Sequence, residues 1–337
     1  MTHSVVTPTK IVPKWRRRFW LAASLLAASV VVNLVFWSKY DDYYAGSEPP
    51  AEHFYDGDRG AKAKIARIEV VGTISPPFTG RILSALERAE DDEDVAGVLL
   101  IVDSPGGLVA DSHQIYHRLE RLRAKKPIVV SMKRLAASGG LYVAMGAGPE
   151  GLLFAEPTTW TGSIGVIVPR FDVSGLADKI GVHSDSLKTG ELKDSLNPFR
   201  PLSEKDEVVW KAILADSFDR FIGVIDSNRN KLDDAGVREL ATGQIYTAQQ
   251  ALDAGLIDEI GFEEDALAAL RGKMKVESAR VIEYEFPIGL FDLLMPAAQA
   301  ADPQRRAEAA LDASVPKALY HCGGHGLPTE LPLLQFP

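Results

Sequence analysis

Ser131-Met132-Lys133-Arg134-Leu135-Ala136-Ala137-Ser138-Gly139-Gly140 follows the strand-like run Pro127-Ile128-Val129-Val130 and leads into Leu141-Tyr142-Val143-Ala144-Met145. A β-branched run, then small residues, then a helix-compatible apolar segment predicts strand, tight turn and helix, with Ser138 at the helix entrance. Backbone N–H groups at a helix start have no intrahelical partner, so the amide of Gly139 is free to face an anion forming beside Ser138 Oγ. Ala136, Ala137, Gly139 and Gly140 are small enough for a substrate carbonyl to approach the backbone closely. Two roles stay open for Ser138 at this point: a nucleophile, or an ordinary N-cap.

Working outward, the same strand-then-helix rhythm recurs. Ile65 to Val71 predicts a strand ending at Gly72, and Thr79 to Glu90, with Ile82, Leu83, Leu86 and Ala89 on one face, predicts an amphipathic helix. Val95 to Val102 has almost no polar alternation, which suits a strand buried on both faces of a layered α/β structure. It ends in Asp103-Ser104-Pro105-Gly106-Gly107, and a helix is expected from about Val109 to Arg123. Further on, Leu152 to Ala155, Ile164 to Val168 and Ser184 to Lys188 read as strands, and Val173 to Ile180 as a helix. Gly190 to Pro201 reads as a polar loop. Ser203 followed by Glu204, Asp206 and Glu207 opens a long helix to about Asn228. Alternating strands and helices predict one α/β body over 61–286, closing with a last strand over Val281 to Phe286. Residues 287–337, which include the lone Cys322, read as a mobile or partner-bound tail.

The formal net charge of -9 argues against a nucleic-acid surface. One cysteine excludes an internal disulfide framework. From Phe19 to Trp37 the chain carries no charge, a length that matches the roughly 20 residues a helix needs to cross a bilayer. Lys10, Lys14, Arg16, Arg17 and Arg18 precede this stretch, whereas Lys39 is followed at once by Asp41 and Asp42. The positive-inside rule therefore puts 1–18 in the cytoplasm, an uncleaved transmembrane helix at 19–38, a linker at 39–60 and the body outside.

A hydrolytic serine needs a base, and none of the seven histidines sits in a triad pattern. The alternative is a serine–lysine pair, and the best-placed lysine is Lys193 in Gly190-Glu191-Leu192-Lys193-Asp194, with Lys188 as runner-up. A free lysine near pKa 10.4 is neutral in only about one molecule in 2,500 at pH 7; useful basicity requires that value to fall by about 3, worth about 4 kcal/mol, and burial has to supply it. Gly106-Gly107 offers paired amides that could complete an oxyanion hole opposite Gly139, although Ser-Pro-Gly-Gly also makes an ordinary turn.

Taken together, the strand leading to Asp103-Ser104-Pro105-Gly106-Gly107, then Ala137-Ser138-Gly139-Gly140 with Tyr142, then Thr161-Gly162-Ser163-Ile164-Gly165-Val166, then Gly190-Glu191-Leu192-Lys193-Asp194 with Pro198-Phe199-Arg200, resemble the ordered motifs of the signal peptide peptidase A family. The resemblance covers about Ile65 to Leu270. It implies a ClpP/crotonase-like spiral of β-β-α units and a peptidase with a Ser-Lys dyad, with Ser138 as nucleophile and Lys193 as general base. Ser163 then takes the place of the hydroxyl that orients the lysine, and Gly107 and Gly139 those of the oxyanion donors. It further implies no metal or cofactor, a homo-oligomeric ring, remnant signal peptides as substrates, and a bacterial inner-membrane location with the catalytic body periplasmic or extracellular. Two rivals share the fold: a catalytically silent scaffold, and an acyl-CoA enzyme of the crotonase type.

Overall fold

The computed structural model describes residues 14–45, 50–286 and 319–321. Two compact units divide the chain: Met1–Glu48 with Pro287–Asp302, and Pro49–Phe286 with Pro303–Pro337.

In the first unit the described element is α1 (Lys14–Ala45). Its side chains are described without a gap only from 18 to 34, and among the described residues no helix is long and apolar enough to cross a membrane. The predicted span at 19–38 extends past that stretch. Leu21, Leu25, Leu26 and Val32 are exposed on it.

The second unit runs β1 (Ala51–Gly57), β2 (Lys64–Val71), α2 (Phe78–Asp91), β3 (Val95–Ser104), β4 (Gly106–Leu108), α3 (Val109–Arg123), β5 (Ile128–Ala137) and α4 (Gly139–Ala144). After these come β6 (Leu152–Ala155), β7 (Trp160–Gly162), α5 (Ser174–Ile180), α6 (Glu204–Asn228), α7 (Asp234–Leu240), β8 (Ile245–Thr247) and α8 (Ala248–Asp253). The order closes with β9 (Glu259–Ile260), α9 (Glu263–Met274), β10 (Arg280–Glu285) and β11 (Leu319–His321).

The main sheet runs β1-β10-β2-β3-β5-β6-β9, with β7 on β5 and β8 on β7. Pairing is parallel from β10 to β9, and antiparallel only at β1–β10 and β7–β8. A mostly parallel sheet needs cover on both faces. Along β3, Leu100 and Val102 enter one core with Leu86, Leu119 and Tyr142, while Leu99 and Ile101 enter a second with Leu267 and Leu270 of α9. The lack of alternation in that strand therefore reports two buried faces, as expected of an α/β layer.

Four local expectations are corrected. The segment at 39–60 is not all linker: α1 continues to Ala45, and Ala51–Gly57 is a strand. That strand is an exposed edge held to β10 by backbone pairing, so its composition carries no apolar period. Ile164 to Val168 is not a strand, because Gly162 and Ser163 adopt φ of 87° and 51° and turn the chain away where pairing with β5 ends. Ser184 to Lys188 is exposed, irregular backbone that pairs with no strand among the described residues. In the tail, Leu319–His321 forms a strand against β4; Cys322 and the rest of 287–337 lie outside the described residues. By contrast, Ser203 caps α6 as its position predicts: its Oγ accepts from Asp206 N–H, and the Asp206 side chain accepts from Ser203 N–H.

Candidate active site

β5 runs through the middle of the sheet and delivers Ser138 to the start of α4. Ser138 has φ 55° and ψ -117°, outside the regions an L residue prefers, and such strain persists only where the surroundings enforce it. They do so from both sides. Ser138 N–H donates to Gly162 C=O at 2.8 Å, and Tyr142 N–H, one helical turn on, donates to Ser138 C=O at 2.9 Å. Tyr142 is itself gripped, with His113 Nδ1 2.8 Å from its hydroxyl and the rings of Tyr116 and Phe221 edge-on against it. Burial, reinforced by the charge of Arg220, lowers the His113 pKa.

Ser138 is 1% exposed, and its Oγ has no hydrogen-bond partner among the described residues. The side chain makes no capping bond to α4. An N-cap serine earns that name by accepting an amide proton, so the capping role is excluded. A buried hydroxyl left unpaired costs about 1–3 kcal/mol, which makes it a group kept for something other than stability.

The turn between β3 and β4 lies against the same helix start. A Cβ placed on Gly139 would fall 2.6 Å from Ser112 Oγ and 3.1 Å from Gly107 N, so the amide of Gly107 and the first residue of α4 adjoin with no room for a side chain. Gly107 is equally constrained on its other flank, where a Cβ would sit 2.0 Å from Ile74 O. Ile74 holds β4 in place by donating to Gly106 C=O and accepting from Leu108 N–H, both at 2.9 Å. Ser104 Oγ accepts from Gly106 N–H and donates to Gly72 C=O. Neither Ile74 nor Ser112 was singled out by the sequence, since an apolar residue in a turn and a helical serine carry no motif.

Ser163 follows Gly162 as Ser138 follows Ala137, and Ala137 is the last residue of β5 to pair with β7, opposite Gly162. Ser163 is half-buried, has φ 51°, and donates its N–H to Gln244 C=O at 2.7 Å. Tyr246 of β8 closes on Gly162 from behind.

Lys193 stands apart from this group. It lies on an exposed single turn of 3-10 helix, Glu191–Asp194, and makes no hydrogen bond to Ser138. Its neighbour Asp194 is paired with Lys188 at 2.7 Å and Arg200 at 3.1 Å, and the Lys188 bond, aided by Arg200, lowers the Asp194 pKa. Lys188 is thus held against a carboxylate and, like Lys193, makes no hydrogen bond to Ser138. Arg200 also grips Asp206 at 2.7 Å. Among the described residues no cluster of His, Cys, Asp or Glu side chains is placed to hold a metal ion.

A strained serine between a parallel strand and a helix, with glycine amides beside it, is the arrangement of a serine hydrolase. The model of peptidase family S49 matches residues 120–277, a span that holds Ser138, Ser163 and Lys193. A protein of Enterococcus faecium that carries the name signal peptide peptidase SppA is 33% identical over 297 residues, covering 80% of this chain and 85% of its own length. Protease 4 of Haemophilus influenzae is 34% identical over 239 residues, 68% of this chain and 37% of the relative. The chloroplastic serine protease SPPA of Arabidopsis thaliana is 28% identical over 221 residues, 64% of this chain and 32% of the relative. The chain belongs to the signal peptide peptidase SppA family within peptidase family S49, and it is a serine peptidase.

Proposed function

We propose that this peptidase works by a Ser138–Lys193 dyad, is anchored in a bacterial inner membrane by 19–38, and degrades remnant signal peptides and other short apolar segments beside that membrane from the periplasmic or outer side. The catalytic body is 61–286 in a ClpP/crotonase-like spiral, and the working form is a homo-oligomeric ring. Support for the anchor is the uncharged stretch from Phe19 to Trp37 with its basic flank.

The observation that carries the dyad is a mismatch. Among the described residues Ser138 Oγ is buried without a partner, while Lys193 is exposed in the single chain. A second copy resolves both at once by covering the segment around Lys193 and bringing the amine to a neighbouring Ser138. That segment has the surface for it: Phe171, Leu176, Ile180, Leu187 and Val208 are each at least 59% exposed.

In the reaction, Lys193 takes the Ser138 hydroxyl proton as Oγ bonds to the scissile carbonyl carbon. The oxygen that becomes negative is held by the N–H groups of Gly107 and Gly139. Collapse breaks the C–N bond, Lys193 returns the proton to the leaving amine, and water then hydrolyses the acyl-enzyme. Ser163, the residue after the Gly162 whose carbonyl accepts from Ser138 N–H, aims the lysine.

Complementation tests this. Ser138→Ala and Lys193→Ala each abolish peptide hydrolysis and fluorophosphonate labelling falls with Ser138→Ala, whereas Lys188→Ala stays active. Mixed one to one, dissociated and reassembled, the two inactive chains regain about a quarter of the wild-type rate, because about a quarter of random neighbours pair an intact serine with an intact lysine. No recovery in a verified mixed ring defeats the shared dyad.

A further inference from the structure

β5 changes partners midway, just before it delivers Ser138. Val129 to Met132 pair with β6, Leu135 to Ala137 pair with β7, and Lys133 and Arg134 pair with neither. On the other edge β3 pairs Val102 with Met132 and Ser104 with Ala136, so Asp103 alone stands opposite Lys133, Arg134 and Leu135. This is a bulge, and bulges beside active sites re-aim the chain that follows them. Side chains pin it from three directions. Asp103, whose side chain is 13% exposed, accepts Leu135 N–H on Oδ1 at 3.3 Å and Arg134 Nε–H on Oδ2 at 2.8 Å. Buried Thr159 donates its hydroxyl to the carbonyls of Met132 and Lys133, and Thr161 of β7 donates to Ala136 C=O at 2.6 Å. Lys133 Nζ meets Glu156 at 3.0 Å and Glu263 of α9 at 2.9 Å.

We propose that Asp103 is a positioning residue of this peptidase: its carboxylate takes the place of a ladder partner for Leu135 N–H, holds the bulge, and so fixes the register in which Ser138 meets the amides of Gly107 and Gly139. That role rests on the reading of Ser138 as nucleophile and of the two glycines as oxyanion donors. The register has little slack. Ser104, the next residue of β3, pairs with Ala136, and its carbonyl lies 2.7 Å from where a Cβ on Gly140 would sit. A strand advances about 3.3 Å per residue, so drawing in even part of one bulged residue moves Ser138 by about an ångström or more. A misplacement of about 1 Å at a reacting group costs about 10²-fold in rate. Asp103 therefore acts on the reaction through β5, without touching a reacting atom.

Rates measured on the full, detergent-solubilised chain, well below the Tm of each variant, test this. Asp103→Ala removes both acceptors and is expected to lower kcat for a peptide substrate by about 10–100-fold, with KM within about 2-fold of wild type and fluorophosphonate labelling of Ser138 slowed in parallel. Asp103→Asn keeps an oxygen for Leu135 N–H and gives up only the ion pair with Arg134, whose side chain is 83% exposed. It is expected to restore kcat to within about 5-fold of wild type, and Arg134→Ala to match it. A merely structural role would lower Tm and leave kcat and the labelling rate alone, so Asp103→Ala with wild-type kcat overturns the proposal. Asp103→Asn as slow as Asp103→Ala overturns it too, because the ion pair and not the backbone bond would then carry the effect. Should Asp103→Ala fail to fold, Asp103→Glu replaces it: the charge stays, the acceptor moves by one methylene, and kcat is expected to fall by about 10-fold, a full rate again counting against the role. Ser138→Ala tells the two readings apart. If that chain still hydrolyses peptide, the nucleophile reading falls and the positioning role with it; a dead Ser138→Ala beside a fully active Asp103→Ala sinks the positioning role alone.

Discussion

The two halves of the candidate site are built on opposite principles. Around Ser138 the chain is buried and every neighbour is specified: β5 is paired on both sides, α4 starts at once, and Gly107 and Gly139 adjoin at distances that admit no Cβ. Around Lys193 the chain is exposed, its backbone bonds are mostly local, and charged side chains hold it together through Lys188, Asp194, Arg200 and Asp206. The nucleophile end is ordered and buried within one chain, and the segment that carries Lys193 is exposed in it. On the proposed dyad shared between copies, a single chain would be inert and assembly would activate it.

The sharpest way to break that comparison is to alter each half in turn. Gly139→Ala should lower kcat by about 10²-fold or more by forcing Ser112 and the Gly107 amide apart, as expected for losing one oxyanion donor, and should also lower Tm. If Gly139→Ala keeps full activity, the Gly107–Gly139 junction is not the oxyanion site. A paired change on the other half, Ile180→Asp with Leu187→Asp, alters residues that are 66% and 100% exposed, so the folding stability of each chain should change by no more than surface substitutions do, about 0.5 kcal/mol apiece. Activity should nevertheless fall together with the mass measured by light scattering. Loss of activity at unchanged mass would detach this surface from assembly.

The smallest effect concerns pH. The Lys188 bond lowers Asp194, and the Arg200 and Ser203 bonds lower Asp206, both below the ordinary carboxylate range. A depressed carboxylate contributes order that is fully present above its unfolded pKa, about 3.9, and is lost as pH falls through the lower folded value. Hydrogen exchange across 184–206, corrected for intrinsic rates, should therefore be flat down to about pH 4 and quicken only below it, while β5 stays protected. Quickening that begins near pH 6 would mean that histidines, not these carboxylates, hold the segment.

Much of the nucleophile end was legible from residue order because it is local chemistry. A β-branched run, small residues and an apolar helix start predict the elbow at Ser138, and β3 announces two buried faces by its lack of alternation. Ile164 to Val168 misled for a related reason. An apolar run suits a strand, but a strand needs a continuous partner, and past the positive φ at Gly162 and Ser163 this segment keeps only an isolated bridge at Ile167. β1 failed in the reverse sense, since an exposed edge strand is held by backbone bonds that leave no trace in composition.

By itself the sequence determined which residues could serve, the α/β class, and the order of the motifs, because these depend on neighbours a few positions apart. Only the tertiary structure decided that Ser138 Oγ makes no capping bond, that Ile74 holds β4 and Ser112 leaves no room for a Cβ on Gly139, and that Tyr320 stands opposite Gly107. Each of those is a meeting of segments remote in the chain. Geometry at an ångström scale is set by the packing of the whole body, which no local run of residues encodes.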